Sequence, residues 1–310
     1  MSRRKRGPHP GGRQPHRGGA KSGSFDAPNR HPVARPGHQS GSAPRDRSGT
    51  AATPDSGPDS GGRQGAGDWL YGLHAVAAAL ANPARRWHRL IATPEGRDAL
   101  SHMLGPDRQP AARLEILARD AIDRLLPAGA VHQGIAVQVT PLDPADFDAL
   151  LATAASSADA ILMVLDQVTD PHNVGAILRS AAAFGARAVV VPERHAPRVS
   201  GVLAKAASGA VDVIPLARVV NLSRALRQMK EAGFWCIGLD AAAAQTLAEA
   251  DLSGRIALVL GAEGEGLRRL TRETCDATLR LPTQPPISSL NVSNAAAVAL
   301  YELARRRATK

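Results

Sequence analysis

The chain has 310 residues, enough for one large or two ordinary domains, and its 38 Lys and Arg against 28 Asp and Glu give a formal net charge of +10. A positive excess of this size suggests a polyanionic partner. No stretch of about 18 uninterrupted apolar residues is present, which excludes a membrane-spanning helix, and the amino terminus lacks the apolar segment of a secretory signal.

Most of the positive charge lies in residues 1–67, which hold 12 Lys and Arg against 4 Asp and Glu and so account for +8 of the total. The same segment contains 14 Gly, 9 Pro and 8 Ser. It cannot bury enough apolar surface to offset its chain entropy and is predicted to be disordered. The segment is either a basic arm that binds phosphates or a solvated extension that neither folding nor catalysis needs.

Residues 68–142 are predicted to form a small α/β domain. Its apolar runs predict a helix at 75–80, a strand at 89–92, a helix from about 97 to 104 and a strand at 135–139. Pro141, Pro144 and a stretch of Ala and Ser then predict a linker over residues 143–159.

Residues 160–310 show the regular pattern of a parallel α/β domain. Apolar runs predict strands at 161–165, 188–191, 211–214, 235–239, 256–260 and 278–281, with helices at 174–184, 220–232 and 266–274. The runs are continuous rather than alternating, as expected for strands buried on both faces of a parallel sheet. A final helix over 294–306 places four apolar residues on one face: Ala296, Ala299, Leu300 and Leu303.

The first polar segment of this domain follows the strand that ends at Asp166 and leads through Pro171 into a helix. Val174, Ile177, Leu178 and Ala181 are predicted to form the buried stripe of that helix. Arg179 is predicted to point away from the stripe, on a face shared with three small residues, Gly175, Ala176 and Ala183. Small residues around one Arg would let a substrate or another chain approach it.

Two further segments carry polar residues or glycines at strand ends. Residues 261–266 form a glycine-rich turn after the strand at 256–260, where glycine permits close backbone approach. Its Gly-x-x-Gly-x-Gly order differs from a dinucleotide-binding fingerprint. In the third segment, residues 288–294 offer Ser288, Ser289, Asn291, Ser293 and Asn294 before the last helix, more than one helix cap requires.

The three segments resemble, in order and spacing, the signature motifs of the SpoU/TrmH family of RNA ribose 2′-O-methyltransferases, within the SPOUT superfamily. Motif 1 is similar to Asn173-Val174-Gly175 with Arg179, motif 2 to residues 261–266, and motif 3 to residues 289–293. The preceding block, from Tyr71 to Ile135, resembles the substrate-binding domain of the bacterial branch that acts on a guanosine of large-subunit ribosomal RNA.

The resemblance implies a SPOUT-type parallel sheet whose carboxy-terminal part is tied in a trefoil knot, an exception to the rule of unknotted connections. It also implies S-adenosyl-L-methionine as cofactor, contacted by Gly261, Leu281 and Leu290. A homodimer is expected, with Arg179 serving the neighbouring protomer's site.

Methylation of a ribose hydroxyl requires the hydroxyl and the methyl carbon to be held in line. The resemblance assigns Arg179 to activating the hydroxyl, although a guanidinium stays protonated and is better suited to stabilising the forming alkoxide. Glu263 and Asn173 are expected to orient Arg179 or the RNA, and Ser289 and Asn291 to organise the cofactor loop and the substrate. No metal is required, because the sulfonium already activates the methyl group.

The expected partner is RNA, with ribosomal RNA favoured over transfer RNA and no membrane involved. An RNA-binding assembly factor without essential catalysis is the alternative from a different class, and a nucleotide-binding Rossmann enzyme is disfavoured by the glycine order. Cys236 and Cys275 are 39 residues apart and predict neither a disulfide nor a zinc site. They are interpreted as structural thiols of a reducing compartment, and a cytoplasmic location is predicted.

Overall fold

The computed structural model describes residues 68–105, 114–287 and 289–308, all of which belong to one compact unit. Residues 1–67, for which the sequence predicts disorder, lie outside these ranges. Within the described ranges, no helix combines the length and the apolar character needed to cross a membrane.

The first described residues form a four-stranded mixed sheet with three helices. The strand order is β1-β4-β2-β3, with β4 antiparallel to β1 and β2, and β3 parallel to β2. In chain order the elements are β1 (Asp68–Tyr71), α1 (Leu73–Ala81), β2 (Trp87–Ala92), α2 (Pro94–Leu104), β3 (Leu114–Ile116), α3 (Arg119–Asp123) and β4 (Ile135–Val139). The predicted strands at 89–92 and 135–139 are confirmed as β2 and β4. Helix α2 begins three residues earlier than predicted, because Thr93 caps it and Pro94 suits its first turn.

The segment predicted as a linker, residues 143–159, contains a helix, α4 (Phe147–Ala155). Asp146 caps it by accepting a 2.7 Å hydrogen bond from the amide of Ala149. Leu151 and Ala154 pack into a hydrophobic cluster beneath the larger sheet. The sequence predicts only a connection here, and the structure places a helix with a buried face within it.

The second sheet has six strands, all parallel, in the order β10-β8-β9-β5-β6-β7. Strands β5, β6 and β9 are buried at every position, which explains their continuous apolar sequences. The predicted α/β class with a parallel sheet is confirmed. The strands are β5 (Ile161–Leu165), β6 (Ala188–Pro192), β7 (Leu216–Val219), β8 (Trp235–Leu239), β9 (Ile256–Leu260) and β10 (Ala277–Leu279), and the helices are α5 (Pro171–Ala183), α6 (Gly201–Ala207), α7 (Leu222–Glu231), α8 (Arg269–Thr274) and α9 (Val292–Ala308).

The strand predicted at 211–214 is wrong. Gly209 has a φ of +93°, and the chain turns there into a short 3-10 helix, Ala210–Asp212. Val211 and Ile214 are buried as predicted, but in a turn that packs against α5 rather than in the sheet. The strand of this region is β7, which starts after Pro215.

Helix α5 has the buried stripe that the sequence predicts, since Val174, Ile177, Leu178 and Ala181 are all buried. The opposite face is less open than expected. A Cβ on Gly175 would lie 2.6 Å from the Cβ of Ala206, so α6 covers this part of the helix. Glycine is needed there for helix packing, and the open surface around Arg179 is limited to the later turns of α5.

Helix α9 starts two residues before the predicted helix and ends two residues after it. The four apolar residues predicted for one face, Ala296, Ala299, Leu300 and Leu303, are all fully buried. Arg306 fixes the end of α9 by donating to the carbonyl oxygens of Ala250, Leu247 and Ala248 at 2.7, 3.3 and 2.6 Å.

The two sheets are joined by one hydrophobic core and by a buried ion pair. The guanidinium Nε of Arg85, before β2, lies 2.8 Å from the carboxylate of Asp212, and both side chains are almost fully buried. Asn82 donates to the same carboxylate oxygen at 3.1 Å. Residues of α1 and of α5 and α6 belong to a single core cluster.

Candidate active site

Three polar segments meet at the carboxyl ends of the parallel strands. Asn173 lies in the first turn of α5, which Asp170 caps by accepting hydrogen bonds from the amides of His172 and Asn173. Glu263 lies in the turn after β9, and Asn291 lies just before α9. Because parallel strands all end at one edge of a sheet, residues far apart in sequence are brought together there.

Asn173, Glu263 and Asn291 form one hydrogen-bonded group. The Asn173 amide Nδ2 donates to Glu263 Oε1 at 3.1 Å, and the Asn291 amide Nδ2 donates to Asn173 Oδ1 at 3.1 Å. Asn291 Nδ2 also donates to Glu263 Oε1. The network fixes one carboxylate oxygen of Glu263 and leaves the exposed side of its carboxylate available to a ligand.

Asn291 also starts α9. Its side-chain oxygen accepts hydrogen bonds from the amide of Ser293 at 2.9 Å, the hydroxyl of Ser293 at 2.6 Å and the amide of Asn294 at 3.3 Å. One side chain therefore caps the helix with its oxygen and holds the Glu263 group with its nitrogen. This explains one of the surplus polar residues that the sequence places before the last helix.

A cavity of about 570 Å³ opens beside this group, a size typical of small-ligand sites. Its apolar wall comes from leucines at the ends of strands and in the loop before α9, and its polar wall comes from carboxylates and from backbone of the glycine-rich turn. The lining includes Leu239, Asp240, Ala241, Leu260, residues 261–266, Arg272, Leu281, Thr283, residues 289–292 and Ala295.

The two ends of the turn after β9 lie close together. Ala262 and Gly266 exchange two backbone hydrogen bonds of 3.0 Å. A Cβ on Gly261 would lie 2.0 Å from the carbonyl carbon of Gly266, which no other residue could tolerate without moving the turn. Gly264 and Gly266 have positive φ values of 81° and 68°. The turn needs its glycines to close and so to present its backbone to the cavity.

The predicted site residues divide into two groups by position. The three predicted cofactor contacts and Glu263, Ser289 and Asn291 line the one cavity, and Asn173 supports its edge through Glu263. Arg179 does not line the cavity. Its side chain is exposed on α5 and forms no hydrogen bond or ion pair with the described residues. The roles assigned to all of these residues stay predictions.

Two ion pairs at the carboxyl ends of the parallel strands were missed by sequence reasoning. Arg272 of α8 lies 2.9 Å from Asp240, and both residues line the cavity. Arg268 lies 2.6 Å from Asp166, whose carboxylate is fully buried and also accepts the backbone amide of Arg268 at 3.1 Å. Both acids directly follow a buried strand, so polar residues at the carboxyl ends of parallel strands were the signal that could have found them.

The two cysteines and His132 have structural roles. Burial raises the pKa of the Cys236 and Cys275 thiols to about 12, so neither is a thiolate near neutral pH. His132 is fully buried, with Nε2 3.0 Å from Asp123 and Nδ1 accepting the amide of Gly134 at 3.1 Å. These contacts leave His132 no surface with which to touch RNA.

Two family models match the chain. The model of the SpoU rRNA Methylase family matches residues 160–301, and the model described as RNA 2'-O ribose methyltransferase substrate binding matches residues 69–145. Asn173, Glu263 and Asn291 all lie within the first match. The boundary between the two matches falls at the connection that contains α4.

Curated relatives are similar over nearly their whole length. The chain is 42% identical over 244 residues to the 23S rRNA (guanosine-2'-O-)-methyltransferase RlmB of Pasteurella multocida, covering 77% of this chain and 98% of the relative. The protein of the same name from Escherichia coli (strain K12) is 39% identical over 241 residues, covering 77% of this chain and 99% of the relative.

A similar fold occurs among solved structures. The SpoU methyltransferase AviRb from Streptomyces viridochromogenes, solved in complex with AdoMet, superposes with a TM-score of 0.64 at 24% identity, covering 78% of this chain and 91% of that chain. At this level of identity the likeness is one of fold.

Proposed function

The chain belongs to the SpoU rRNA methylase family, and we propose that it transfers a methyl group from S-adenosylmethionine to the ribose 2′-hydroxyl of a guanosine in large-subunit ribosomal RNA. The observation that carries this proposal is the 42% identity to a 23S rRNA (guanosine-2'-O-)-methyltransferase over 98% of that relative. The match spans both the small sheet and the large one, so it includes RNA recognition as well as chemistry.

The cavity at the carboxyl ends of β8, β9 and β10 fits the cofactor. Leu281 and Leu290 provide apolar surface suited to an adenine ring, and the backbone of residues 261–266 provides hydrogen-bonding groups at close range. The carboxylates of Glu263 and Glu265 suit a positively charged ligand. When bound, S-adenosylmethionine supplies a methyl group already activated by its sulfonium.

The residues of this chain then position the ribose and stabilise its 2′-oxygen as the proton leaves. Glu263, held by Asn173 and Asn291, presents a fixed carboxylate at the cavity and orients the ribose or the Arg that approaches it. Ser289 and Asn291 shape the loop that closes the cavity. Holding the hydroxyl in near-attack geometry can supply roughly 7–11 kcal/mol of the barrier.

Arg179 stabilises the ribose oxygen as the proton of the hydroxyl passes to solvent water. A guanidinium remains protonated at ordinary pH, so its contribution is electrostatic, to the forming alkoxide and the adjacent phosphate. Arg179 lies outside the cavity of its own chain, which supports its action in the cavity of a second copy. We therefore propose a homodimer in which each Arg179 completes the neighbouring site.

Mixing two inactive variants tests this arrangement. Arg179→Ala and Glu263→Ala are each expected to be inactive as homodimers. A mixed dimer has one site with both residues intact if Arg179 acts across the interface, so co-refolded protein should recover about a quarter of wild-type activity. Absence of rescue in dimers shown by mass to be mixed would place Arg179 in its own chain's site.

We also propose that the carboxy-terminal part of the chain is knotted. In support, Arg306 at the end of α9 bonds to residues 247–250 between β8 and β9, and Arg307 donates to the carbonyl oxygen of Gly254 at 2.8 Å. The segment that precedes β9 thus contacts the end of the last helix. Stretching the protein by its ends in an optical trap tests the knot, since a knotted chain stops short of its full contour length.

The small sheet, over residues 68–142, is proposed to hold the RNA, in line with the substrate-binding family model that matches there. Methyl transfer from labelled cofactor to ribosomal RNA by the purified protein, followed by mapping of the modified nucleotide, tests the activity. Methylation of transfer RNA instead would change the substrate, and RNA binding with no methyl transfer would favour an assembly factor. A cytoplasmic location follows from a ribosomal substrate and is checked by cell fractionation.

A further inference from the structure

A second cavity, of about 340 Å³, lies at the same edge of the large sheet as the first. It occupies the ends of β5, β6 and β7, whereas the first cavity occupies the ends of β8, β9 and β10. Its lining consists of Gln167, Pro192, Arg194, His195, residues 220–223, Arg268, Leu270 and Thr271. The three sequence motifs described above contribute none of these residues.

The second cavity is arranged to receive an anion. Arg194, Arg268 and His195 line it, and none of the described residues that line it carries a carboxylate. Arg194 and His195 are exposed, and neither forms a hydrogen bond or ion pair within the described part of the chain. Arg268 is held in place by its ion pair with the buried Asp166, so its position is set before any ligand arrives.

The start of α7 adds unpaired donors to the same cavity. Asn221 caps the helix by accepting the amide of Arg224 at 3.0 Å, while the amides of Leu222 and Ser223, in the first turn, have no intrahelical partner. These two residues line the cavity. A helix start with free amides favours a negatively charged group.

Two hydroxyls that line the cavity have no hydrogen-bond partner among the described residues. Ser223 is 6% exposed and Thr271 is 1% exposed, and both line the cavity. Neither side chain forms a hydrogen bond with any of the residues that the structure describes. Their oxygens are accessible from the cavity, so a ligand that enters it can replace water as their partner.

The rim of the second cavity is apolar. Val220 is 87% exposed and Leu270 is 48% exposed, so each presents a bare side chain beside the arginines. A cavity of this size exceeds the needs of a phosphate ion alone, and apolar side chains suit the faces of a base and a ribose. The combination of anion donors and apolar rim fits a nucleotide.

The two cavities share one segment of chain. Residues 261–266 line the first cavity, and Arg268, Leu270 and Thr271 line the second. Arg268 is two residues from Gly266, which limits their separation to about 7 Å between Cα atoms. A strand of RNA with one ribose at the first cavity therefore has a neighbouring nucleotide within reach of the second.

We propose that the second cavity is an RNA subsite that binds a nucleotide flanking the methylated one. Its phosphate accepts from Arg194, Arg268, the first amides of α7 and the hydroxyls of Ser223 and Thr271. This inference rests on the proposed function for the identity of the RNA, but the binding it describes is measured separately from methyl transfer.

The test compares Arg194→Ala with Arg227→Ala in the full chain, using a large-subunit ribosomal RNA fragment that the wild-type protein binds. Arg227 is exposed on α7 and does not line the cavity, so its replacement removes the same charge from the same region. Arg194→Ala should raise the RNA Kd about 5- to 10-fold and lower the salt slope of binding by about 0.7, as expected when one phosphate of a single strand is no longer neutralised. The affinity for S-adenosylmethionine and kcat at saturating RNA should stay within about twofold of wild type, and Arg227→Ala should match wild type throughout.

Ser223→Ala provides a second measurement. Because the Ser223 hydroxyl has no partner among the described residues, the thermal midpoint should not fall, while the RNA Kd should rise about 3- to 10-fold. Wild-type RNA affinity in both Arg194→Ala and Ser223→Ala would overturn the subsite, whether or not the wild-type protein methylates. Tight binding of free GMP or AMP that Arg194→Ala abolishes, with RNA affinity unchanged, would also overturn it and assign the cavity to a free nucleotide. Failure of the proposed function has a different signature, which is the absence of methyl transfer by the wild-type protein.

Discussion

The side-chain amide of Asn291 donates a 3.1 Å hydrogen bond to the side-chain oxygen of Asn173, 118 positions earlier in the chain. Asn173 belongs to the first helix after β5, and Asn291 caps the last helix of the described chain. Both amides also bond to Glu263, so the start of α5, the turn after β9 and the start of α9 are tied at one point. The two asparagines thereby hold two helix starts against the turn that lines the first cavity.

Replacing Asn291 with Asp separates its two roles. An Asp oxygen still caps α9, but the donor to Asn173 and Glu263 is lost and a second carboxylate faces Glu263. The thermal midpoint should therefore change little, while kcat/KM should fall roughly 10- to 100-fold. Asn291→Ala is the matched control, since it should lose activity and also stability. Equal activity of Asn291→Asp and wild type would show that the network is only structural.

Replacing Arg179 with Ala should cut methyl transfer roughly 100-fold or more, equivalent to about 2.7 kcal/mol of transition-state stabilisation. The affinity for S-adenosylmethionine should stay near normal, because Arg179 does not line the cavity of its own chain. The variant should fold normally, because Arg179 pairs with none of the described residues. Single-turnover methylation and calorimetric titration of the cofactor check both statements, and near-wild-type turnover would remove Arg179 from the mechanism.

Replacing Gly261 with Ala should disrupt cofactor binding. The added Cβ would meet the carbonyl group of Gly266 at 2.0–2.1 Å, and the turn must shift to accept it. We expect the cofactor Kd to rise roughly 10-fold or more, because displacement of a binding loop by about 1 Å is sufficient for such a loss. Gly264→Ala is the control in the same turn, since its φ of 81° adds strain of only about 1–2 kcal/mol and nothing lies near its Cβ. Equal affinities for the two variants would contradict the close-approach argument.

Both thiols should be inert in the native protein at about pH 8. Burial raises the pKa of Cys236 and Cys275 from 9.0 to about 12, so the native state keeps them protonated where an unfolded chain would ionise them. Their contribution to stability is complete below about pH 9 and declines as the pH rises from 9 toward 12. Reaction with a disulfide reagent such as DTNB should be slow until urea is added. Rapid labelling of the folded protein would show that at least one thiol is accessible.

Deleting residues 1–67 should weaken RNA binding and flatten its salt dependence without altering cofactor affinity. The segment carries +8 of the net charge, whereas the rest of the chain carries +2. The change in the slope of log Kd against log salt, measured between about 0.05 and 0.2 M, gives the number of phosphates that the segment neutralises. A chain of equal length with the 12 basic residues of the segment changed to Gln separates charge from length. Unchanged RNA affinity at every salt concentration would leave the segment without a role in binding.

The sequence predicts individual helices and strands better than it predicts which of them pack against each other. The buried faces of α5 and α9 follow directly from apolar spacing, because a helix must bury one stripe whatever it packs against. Val211 and Ile214 misled the strand prediction, since an apolar run is equally compatible with a buried turn. The covering of Gly175 by α6 depends on tertiary packing, which no local pattern encodes.

The same holds for the candidate site, whose residues could be predicted from the sequence but whose contacts could not. Asn173, Glu263 and Asn291 could be singled out because each lies in a polar segment at the end of a buried strand. Their hydrogen bonds could not be predicted, because they join positions 90 and 118 residues apart. The second cavity could not be predicted from the sequence. No sequence pattern links Arg194, Ser223 and Thr271, which come together only at the ends of β5, β6 and β7.

The buried ion pair of Arg85 and Asp212 fixes the distance between the small sheet, which is proposed to bind RNA, and the candidate active site on the large sheet. Turning the small sheet away from the large one would break this pair and open the hydrophobic core that the two sheets share. The distance between the two surfaces proposed to bind RNA is therefore fixed rather than adjustable. An RNA that has not yet folded to present its two contact segments at that length cannot satisfy both surfaces at once. The protein would thus methylate ribosomal RNA only after that part of the RNA has folded.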